Sequence, residues 1–368
     1  VPIVIGVSLL AGIIWLLVGQ ELSFVLRIFT SVLVIACPCA MGLATPTAIV
    51  VGTGLGANHG ILIRSGEALE ITHNVKAVVL DKTGTVTEGK PVVTDLVPVG
   101  MEREKLLELA AAVEAGSAHP LADAIVRGAA EKGLNTALTT SDFENFSGKG
   151  VRAILADGRK ALVGNDKLMR ENGVDIDALQ ADAAGFSAQG KTPMYVAVDN
   201  RPAGIISVAD SVKGTSRAAI EGLKELGLRV ILLTGDSKAA AEYIGGIVGA
   251  DEVIAEVLPE DKAAVIQRLQ NDGNIVMMVG DGINDAPALV QADVGCAIGN
   301  GSDIAIESAD IVLMKNDLTD VSKAVNLSRM TIRNIKQNLF WAFFYNTIGI
   351  PIAAGVLYPA FKLLLSPM

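Results

Sequence analysis

The sequence predicts an α/β protein in which a doubly wound parallel sheet carries an inserted α+β domain and is flanked by transmembrane α-helices. Two observations support this fold class. In the middle of the chain, short apolar runs alternate with charged segments of helical periodicity, an order that is typical of parallel sheets. Towards both ends of the chain, long runs contain no charged residue.

Three uncharged runs are long enough to cross a bilayer, which takes about 20 apolar residues. They cover residues 1–20, the stretch between Arg27 and Arg64, and the stretch between Lys336 and Lys362. A mean hydropathy of +0.46 and a hydrophobic content of 51% agree with membrane segments. The alternative is a soluble protein with apolar core helices, but a core helix rarely continues so far without a charge.

Basic residues lie where the uncharged runs meet the charged middle region, Arg64 and Lys76 on one side and Arg329, Arg333 and Lys336 on the other. The positive-inside rule therefore predicts that the middle region is cytoplasmic. A formal net charge of −10 argues against a nucleic-acid partner, because binding to a phosphate backbone requires a basic surface. Since the chain begins and ends in apolar runs without an initial Met, we expect further protein on either side.

Three β-rich runs in the middle region each end in polar residues. Residues 75–80 precede Asp81, residues 228–233 precede Thr234-Gly235-Asp236, and residues 274–279 precede Gly280-Asp281. A helical pattern at 216–226 precedes the second run, and another at 262–269 lies between the second and third runs. Ligands of parallel sheets bind at the carboxyl ends of the strands. We therefore expect the polar residues that follow these three strands to converge on one site.

Residues 93–205 interrupt this alternation and predict a separate α+β domain. The predicted helices are 102–114 and 120–132, and the predicted strands are 151–155, 160–163 and 194–199. Because the segment follows the first strand of the parallel sheet and precedes the second, it is an insertion into that sheet.

The strongest motif is Asp-Lys-Thr-Gly-Thr-Val-Thr at residues 81–87. A carboxylate at a strand end, such as that of Asp81, can attack a phosphoryl group and form an aspartyl phosphate. The transferred group is anionic and needs positive charge and hydrogen-bond donors around it. Thr234 can donate to its oxygens, and Lys262 can neutralise them.

A second motif, Gly-Asp-Gly-Ile-Asn-Asp at residues 280–285, places Asp281 and Asp285 on a glycine-rich turn. Mg²⁺ binds oxygen ligands, commonly one or two carboxylates together with phosphate and water. These two carboxylates therefore predict a magnesium site beside the nucleophile. One Asp-Gly turn alone would be an ordinary surface turn, but three matched motifs argue against that interpretation.

Together, residues 81–87, the Thr234-Gly235-Asp236 turn and residues 280–285 resemble the phosphorylation, TGD and GDGxND motifs of P-type ATPases, which have a haloacid-dehalogenase-like fold. The resemblance implies that Asp81 is phosphorylated by ATP. It also implies that Asp81, Asp281 and the Thr83 carbonyl hold Mg²⁺, with Asp285 at the same site. Val86 stands where many relatives have Leu, a conservative difference.

A phosphatase of the same fold is an alternative interpretation of these motifs. The corresponding motif of such phosphatases is Asp-x-Asp, in which the second Asp is a general acid, whereas here Lys82 and Thr83 follow the nucleophile. In P-type ATPases a Thr-Gly-Glu loop on an actuator domain assists hydrolysis, and this sequence contains no Thr-Gly-Glu. We therefore expect the actuator domain outside this stretch of sequence.

Four residues of the inserted domain are candidates for binding ATP: Glu114, His119, Gly148 and Gly150. Adenine needs an apolar slot with a few polar groups, and a Gly-x-Gly turn permits close approach of the backbone. Each feature alone is weak, since a His that opens a helix is usually a capping residue. Heavy-metal P-type ATPases carry a Glu, a His-Pro and a Gly-x-Gly in this order, which implies an ATP site here, although Ala118 replaces a Glu that many relatives have.

The Cys37-Pro38-Cys39 sequence lies inside the second uncharged run. Proline distorts a helix, and distorted membrane helices commonly mark ion sites. Thiolates suit Cu(I), Ag(I), Zn and Cd. The motif resembles the CPC of heavy-metal pumps, although two inert cysteines beside a kink are the alternative.

Tyr345-Asn346 resembles a Tyr-Asn pair of the copper subgroup, and this resemblance implies two further ligands for the transported ion. The alternative role of the two residues is interhelical hydrogen bonding. Zinc and cadmium pumps of this family carry a Lys in the corresponding run, whereas residues 337–361 of this sequence contain no Lys. The resemblance therefore implies export of Cu(I), or Ag(I), with a Zn, Cd or Pb pump and a non-catalytic metal-binding membrane protein as alternatives. Expected partners are membrane lipid, the transported ion and a copper chaperone, and the expected location is a multi-pass position in the cell membrane if the source is bacterial.

These interpretations divide the chain into five segments. They are transmembrane helices with the CPC motif at 1–74, the phosphorylation domain at 75–92 and 206–326, the nucleotide-binding domain at 93–205, and a transmembrane helix with the start of the next at 327–368.

Overall fold

The computed structural model describes residues 2–36, 39–135, 140–281, 285–299 and 303–365. They form two compact units: unit 1 lies within Val1–His59 and Val325–Met368, and unit 2 is Gly60–Ala324. Unit 1 is helical, whereas unit 2 contains both of the large β-sheets.

Helices occur in both units. In chain order they are α1 (Pro2–Leu17), α2 (Leu22–Ile35), α3 (Cys39–Asn58), α4 (Gly66–His73), α5 (Arg103–Glu114), α6 (Pro120–Glu131), α7 (Asp166–Glu171), α8 (Gln180–Ala188), α9 (Ser216–Glu225), α10 (Lys238–Val248), α11 (Lys262–Asn271), α12 (Ala286–Gln291), α13 (Asp303–Ser308), α14 (Thr319–Ala353) and α15 (Tyr358–Phe361). Side-chain caps fix some of their starts: Asn165 accepts a hydrogen bond from the Leu168 amide and thereby begins α7.

The strands belong to two sheets of unit 2. They are β1 (Ile61–Ile63), β2 (Ala77–Asp81), β3 (Thr87–Pro98), β4 (Thr140–Phe146), β5 (Gly150–Leu155), β6 (Lys160–Gly164), β7 (Thr192–Val198), β8 (Arg201–Val212), β9 (Arg229–Leu233), β10 (Glu252–Ile254), β11 (Val276–Gly280), β12 (Val294–Ile298) and β13 (Ile311–Leu313). The seven-stranded sheet has the order β1-β13-β12-β11-β2-β9-β10, and the six-stranded sheet has the order β3-β8-β7-β6-β5-β4.

The seven-stranded sheet is parallel except for the β1–β13 pair. Its interior strand β2, which lies between β11 and β9, is buried along its whole length, as expected for a parallel strand covered on both faces. The register pairs Asp81 with Leu233 of β9 and Leu80 with Val279 of β11. The predicted parallel α/β sheet is therefore confirmed, and the three predicted strands agree with β2, β9 and β11 to within two residues.

The six-stranded sheet is antiparallel and packs helices on both faces. Successive residues of its strands point to opposite faces: Val163 packs in the core with α5 and α6, whereas Leu162 packs in the core with α7 and α8. This sheet is the predicted α+β insertion, since it lies between β2 and β9 in the chain. Residues 92–93 and 205–206, where we placed the domain boundaries, lie inside β3 and β8.

The expected transmembrane helices require a correction. Among the described residues, no helix combines the length and the apolar content that crossing a bilayer requires. The first uncharged run forms α1, whose 16 residues would reach only about 24 Å at 1.5 Å per residue. The second run is divided between α2 and α3. The third run forms the second half of α14, whose first half is polar. Absence of charge predicted helices here, but it did not predict where each helix would end.

Candidate active site

The carboxyl ends of β2, β9 and β11 bring together most of the residues that the phosphoryl-transfer motifs predict. Asp81 ends β2, Thr234 follows β9, and Asp281 follows β11. Because β2 lies between β9 and β11 in the parallel sheet, all three strand ends reach the same edge. Within the Gly-Asp-Gly-Ile-Asn-Asp motif, residues 282–284 lie outside the described residues.

A buried ammonium group connects two of the predicted carboxylates. Nζ of Lys262, the first residue of α11, lies 2.6 Å from Oδ1 of Asp81 and 2.6 Å from Oδ1 of Asp285. The three residues are 8%, 5% and 2% exposed, respectively. Carboxylate oxygens of Asp81, Asp281 and Asp285 all lie within 4.8 Å of one another. The sheet therefore assembles three acids and one lysine in a small volume, in which Asp281 is half-buried and the other three residues are buried.

The charges of this cluster do not balance. Burial, followed by repulsion from Asp285, raises the pKa of Asp81 to about 7, although Lys262 opposes the shift. Burial and the same neighbour also raise the pKa of Asp281. For Lys262, burial lowers the pKa, but attraction to Asp81 and Asp285 outweighs it, and the net shift is upward. When all three carboxylates are ionised, they leave an excess of about two negative charges over the one ammonium, which an oxygen-preferring divalent cation such as Mg²⁺ would offset.

Two glycines make this crowding possible. Gly84 has a φ of +73°, and a Cβ there would overlap the Asp281 carboxylate. A Cβ on Gly280 would lie 2.6 Å from Oδ2 of Asp285. Glycine therefore lets the backbone pass directly beside both acids. Thr83, between Asp81 and Gly84, is exposed, and its predicted role as a carbonyl ligand of Mg²⁺ stays a prediction.

Lys82 and the Thr234-Gly235-Asp236 turn are also linked. Nζ of Lys82 donates to Oδ2 of Asp236 at 2.6 Å, so this lysine is directed to the neighbouring turn. Oγ1 of Thr234 accepts from the Asp236 amide at 3.1 Å, which fixes the shape of the turn around Gly235. The two motifs are 154 positions apart in sequence and joined by one ion pair.

Our sequence analysis missed one buried lysine beside this site. Nζ of Lys213 donates to the Gly84 carbonyl oxygen at 2.6 Å and to Oδ1 of Asn316 at 2.5 Å. Lys213 follows β8 directly, so the rule that polar residues after strands mark the site could have identified it. Burial lowers its pKa, although surrounding acids that include Glu88 and Asp281 oppose that shift.

The four residues predicted to bind ATP line one cavity of about 370 Å³ in the inserted domain. Its wall contains Glu114, His119, Gly148 and Gly150, together with apolar side chains such as that of Phe146. A mostly apolar cavity with a few polar groups is the usual form of a small-molecule site.

The polar groups of the cavity are held in different ways. Glu114 is 3% exposed, and burial raises its pKa to about 7 against the effect of a hydrogen bond from Ser117. His119 is the N-cap of α6, and its Nδ1 accepts from the Leu121 amide at 3.2 Å. His119 is therefore a capping residue that also lines the cavity, which leaves Nε2 as its hydrogen-bonding atom for a ligand.

The two cavity glycines are required by the backbone. Gly148 has a φ of +69° and Gly150 a φ of +141°, both in the region that favours glycine. A Cβ on Gly150 would also overlap the Val163 carbonyl oxygen and the Gly164 Cα of the adjacent strand. Gly150 is therefore a packing requirement of the sheet as well as a cavity residue.

The predicted ligands of the transported ion are only partly described. Cys37 and Pro38 lie outside the described residues, and Cys39 begins α3 without a described side chain. On α14, Tyr345 is 65% exposed and Asn346 is half-buried. The described residues therefore do not test whether these four predicted ligands lie together, and the site stays a prediction.

Comparisons with known proteins agree with this geometry. The haloacid dehalogenase-like hydrolase family matches residues 75–293. The copper-exporting P-type ATPase of Bacillus subtilis is 53% identical over 98% of the chain, and the silver exporting P-type ATPase of Salmonella typhimurium is 47% identical over 100% of it.

Each of these alignments covers 45% of the relative, so the chain spans about half the length of the curated relatives that it matches. A crystal structure of a zinc-transporting PIB-type ATPase in the E2.Pi state superposes with a TM-score of 0.82 and 35% identity, covering 99% of this chain and 62% of that one. Because the matched family covers more than half of the chain and includes the buried acid–lysine cluster, the chain belongs to the haloacid dehalogenase-like hydrolases, and its similarity to P-type ATPases extends along its whole length.

Proposed function

We propose that this chain is the ATP-phosphorylated part of a P-type ATPase that exports Cu(I). The observation that supports this function best is the position of Lys262, whose ammonium lies 2.6 Å from both Asp81 and Asp285. A buried carboxylate next to a fixed cation is prepared to receive an anionic phosphoryl group. The choice of Cu(I) as the transported ion is supported by the relatives that are named as copper and silver exporters.

In the proposed phosphorylation, a carboxylate oxygen of Asp81 attacks the γ-phosphorus of ATP. A bond forms between that oxygen and phosphorus, while the bond from phosphorus to the bridging oxygen breaks, and ADP leaves with the electron pair. Lys262 balances charge on the equatorial oxygens, and Thr234 donates a hydrogen bond to them. Magnesium, when bound, neutralises charge on the transferred phosphate.

The chemistry of the donor set fits Mg²⁺, since Asp81, Asp281 and Asp285 offer oxygen atoms and a surplus of negative charge. The carbonyl of Thr83 would complete this set. The cavity of the inserted domain would bind the adenine of ATP, with Glu114 and the Nε2 atom of His119 as its polar contacts. A volume of about 370 Å³ is within the usual range for a small-molecule site.

For the transported ion, we propose Cys37, Cys39, Tyr345 and Asn346 as ligands. Two thiolates suit a soft monovalent ion, and no Lys lies within residues 337–361 to complement acidic ligands of a divalent ion.

Export requires a membrane, and we expect lipid and a copper-delivering protein as partners of the whole protein. Large apolar side chains on the surface of unit 1 agree with an apolar partner. Examples are Leu17 at 82%, Leu43 at 73% and Trp341 at 63% exposure.

A pump for Zn²⁺ is the second candidate, because the zinc-transporting ATPase has closely similar structure. The test uses a full-length protein that contains this chain. Cu(I) or Ag(I) should stimulate its ATP hydrolysis, Zn²⁺ should not, and Cys37→Ser or Cys39→Ser should abolish the stimulation.

The matched control for that test is Cys296→Ala, because Cys296 is buried in β12 within the parallel sheet. This variant should keep the response to Cu(I). Stimulation by Zn²⁺ but not by Cu(I) would favour the zinc pump, and wild-type response of both Ser variants would move the transport site away from these cysteines.

A further inference from the structure

Lys213 is a buried cation for which the proposed phosphorylation gives no role. It is 4% exposed and lies immediately after β8. Its ammonium makes hydrogen bonds to two neutral oxygens, the Gly84 carbonyl at 2.6 Å and Oδ1 of Asn316 at 2.5 Å. A buried ammonium whose hydrogen-bond acceptors are uncharged is costly, so a specific requirement for it is expected.

The carbonyl that Lys213 holds belongs to the loop between the nucleophile and β3. The backbone around Lys213 holds the same loop, since its amide donates to the Val86 carbonyl at 3.0 Å and Oγ of Ser216 donates to that carbonyl at 2.7 Å. On its other side, the loop touches the Asp281 carboxylate at Gly84. The loop that follows Asp81 is thus held between an acid and a lysine.

Gly84 has a left-handed conformation, with a φ of +73°, while Thr83 is extended, with a φ of −75° and a ψ of 126°. This change of conformation sets the direction of the peptide groups that follow Asp81. A hydrogen bond from a charged donor to the Gly84 carbonyl would oppose rotation of that peptide. Lys213 is therefore placed to fix the loop that follows the nucleophile.

We propose that Lys213 is a positioning residue for phosphorylation, which holds the Gly84 carbonyl so that the neighbouring Asp81 carboxylate and Thr83 carbonyl keep the arrangement that Mg²⁺ and in-line attack require. This inference rests on the proposed function. According to this inference, the segment after β8 connects the two sheets in the chain and also contributes to phosphoryl transfer.

The test is Lys213→Met in the complete 368-residue chain. At saturating ATP, the initial rate of labelling from [γ-³²P]ATP should fall about tenfold to hundredfold, as expected for loss of a charge-assisted hydrogen bond. The Mg²⁺ concentration for half-maximal labelling should rise about tenfold. Binding of ATP without Mg²⁺ should be unchanged, because the cavity proposed to bind adenine is lined by other residues, all of them in the inserted domain.

The direction of the Mg²⁺ effect distinguishes positioning from simple charge. Removing a cation near Asp281 would, through electrostatics alone, lower the Mg²⁺ concentration required. Asn316→Ala, which removes one acceptor and retains the Gly84 contact, should give a smaller change in the same direction. The matched control is Lys224→Met, because Lys224 also donates to a carbonyl, that of Gly249 at 3.2 Å, but is 41% exposed at the surface.

Wild-type labelling and wild-type Mg²⁺ dependence of Lys213→Met would overturn this inference and leave the proposed function intact. A lower Mg²⁺ requirement would also overturn it. So would a fall in labelling that matched an equal fall in Mg²⁺-free ATP binding, since that result indicates loss of folded protein. If the wild-type chain itself took no label, the proposed function would fail together with the inference.

Discussion

At the edge of the parallel sheet, the buried Asp81 and Asp285 are joined directly by the ammonium of Lys262, whereas around the cavity of the inserted domain most polar residues contact backbone or solvent. Lys262 bridges Asp81 and Asp285 at 2.6 Å each. In the cavity, His119 bonds to a backbone amide of its own helix, and Glu114 is buried with a hydrogen bond from Ser117.

The two regions therefore respond differently to substitution. Removal of one partner from a buried charge cluster leaves the other charges unpaired, which is costly for both structure and chemistry. Removal of one wall residue from a mostly apolar cavity reduces contact with a ligand but leaves the remaining wall in place. We expect losses of several orders of magnitude at the first region and of about one order at the second.

Lys262→Met should have the largest effect, because it removes the ammonium shared by Asp81 and Asp285. Labelling of the protein from [γ-³²P]ATP should fall by at least about 10²–10³, the usual effect of losing one electrostatic contact to a transition state. ATP binding without Mg²⁺ should be unaffected. Lys105→Met, which removes an exposed lysine of α5, is the control, and near-normal labelling of Lys262→Met would show that the cluster is not the reaction site.

His119→Asn should have an intermediate effect confined to the cavity. Asn retains an N-cap acceptor for the Leu121 amide and removes the imidazole, so the change separates ligand contact from helix capping. Calorimetric titration with ATP should show about threefold to tenfold weaker binding, the range for one hydrogen bond at an exposed site. His59→Asn, an exposed position in unit 1, should bind ATP normally. Normal affinity of the His119 variant would place the nucleotide elsewhere.

Glu114→Gln should have the smallest effect on ATP binding and labelling, because Gln keeps a hydrogen-bonding side chain in the cavity. Its main consequence should be a change in the pH dependence of stability. The pKa of Glu114 is raised from 4.5 to about 7, so between these values the folded protein retains a proton that the unfolded chain has lost. Its contribution to the free energy of unfolding is full below pH 4.5 and declines towards pH 7, by at most about 1.4 kcal/mol per pH unit. The Gln variant should lack this decline.

Hydrogen exchange of the α5 amides, followed at several pH values and corrected for intrinsic rates, measures this difference. Glu131→Gln, an exposed position on α6, serves as the control. Equal pH dependence of the wild type and Glu114→Gln would show that Glu114 is not desolvated as its burial implies.

The parallel sheet was predictable because strands that are buried on both faces need apolar residues at nearly every position, which gives unbroken apolar runs in the sequence. The run that became β2 and the polar residue after it, Asp81, predicted both a strand and a site residue. Convergence of three strand ends then followed from the rule that ligands bind at the carboxyl edge. The family resemblance added that ATP phosphorylates Asp81 and that the Thr83 carbonyl joins the magnesium ligands.

Other features left no such local signal. β3 and β8 are twelve residues long but contain Pro and Gly, which obscured their alternation and hid the strand before Lys213. The Lys82–Asp236 ion pair joins two positions whose contact depends on strand order, which no short stretch of sequence specifies. Uncharged runs predicted long spans, yet α1 has only 16 residues and the second run is divided between α2 and α3, because hydropathy alone does not determine where a helix ends.

The most direct test of the account is to label the chain with [γ-³²P]ATP and Mg²⁺ and to locate the phosphate by mass spectrometry. We predict an acid-stable, hydroxylamine-labile adduct on Asp81, and background labelling of Asp81→Asn, which keeps the shape of the side chain and removes the nucleophile. Equal labelling of Asp81→Asn, or phosphate on a residue outside the carboxyl edge of the parallel sheet, would contradict the proposal that this cluster is the phosphoryl-accepting site.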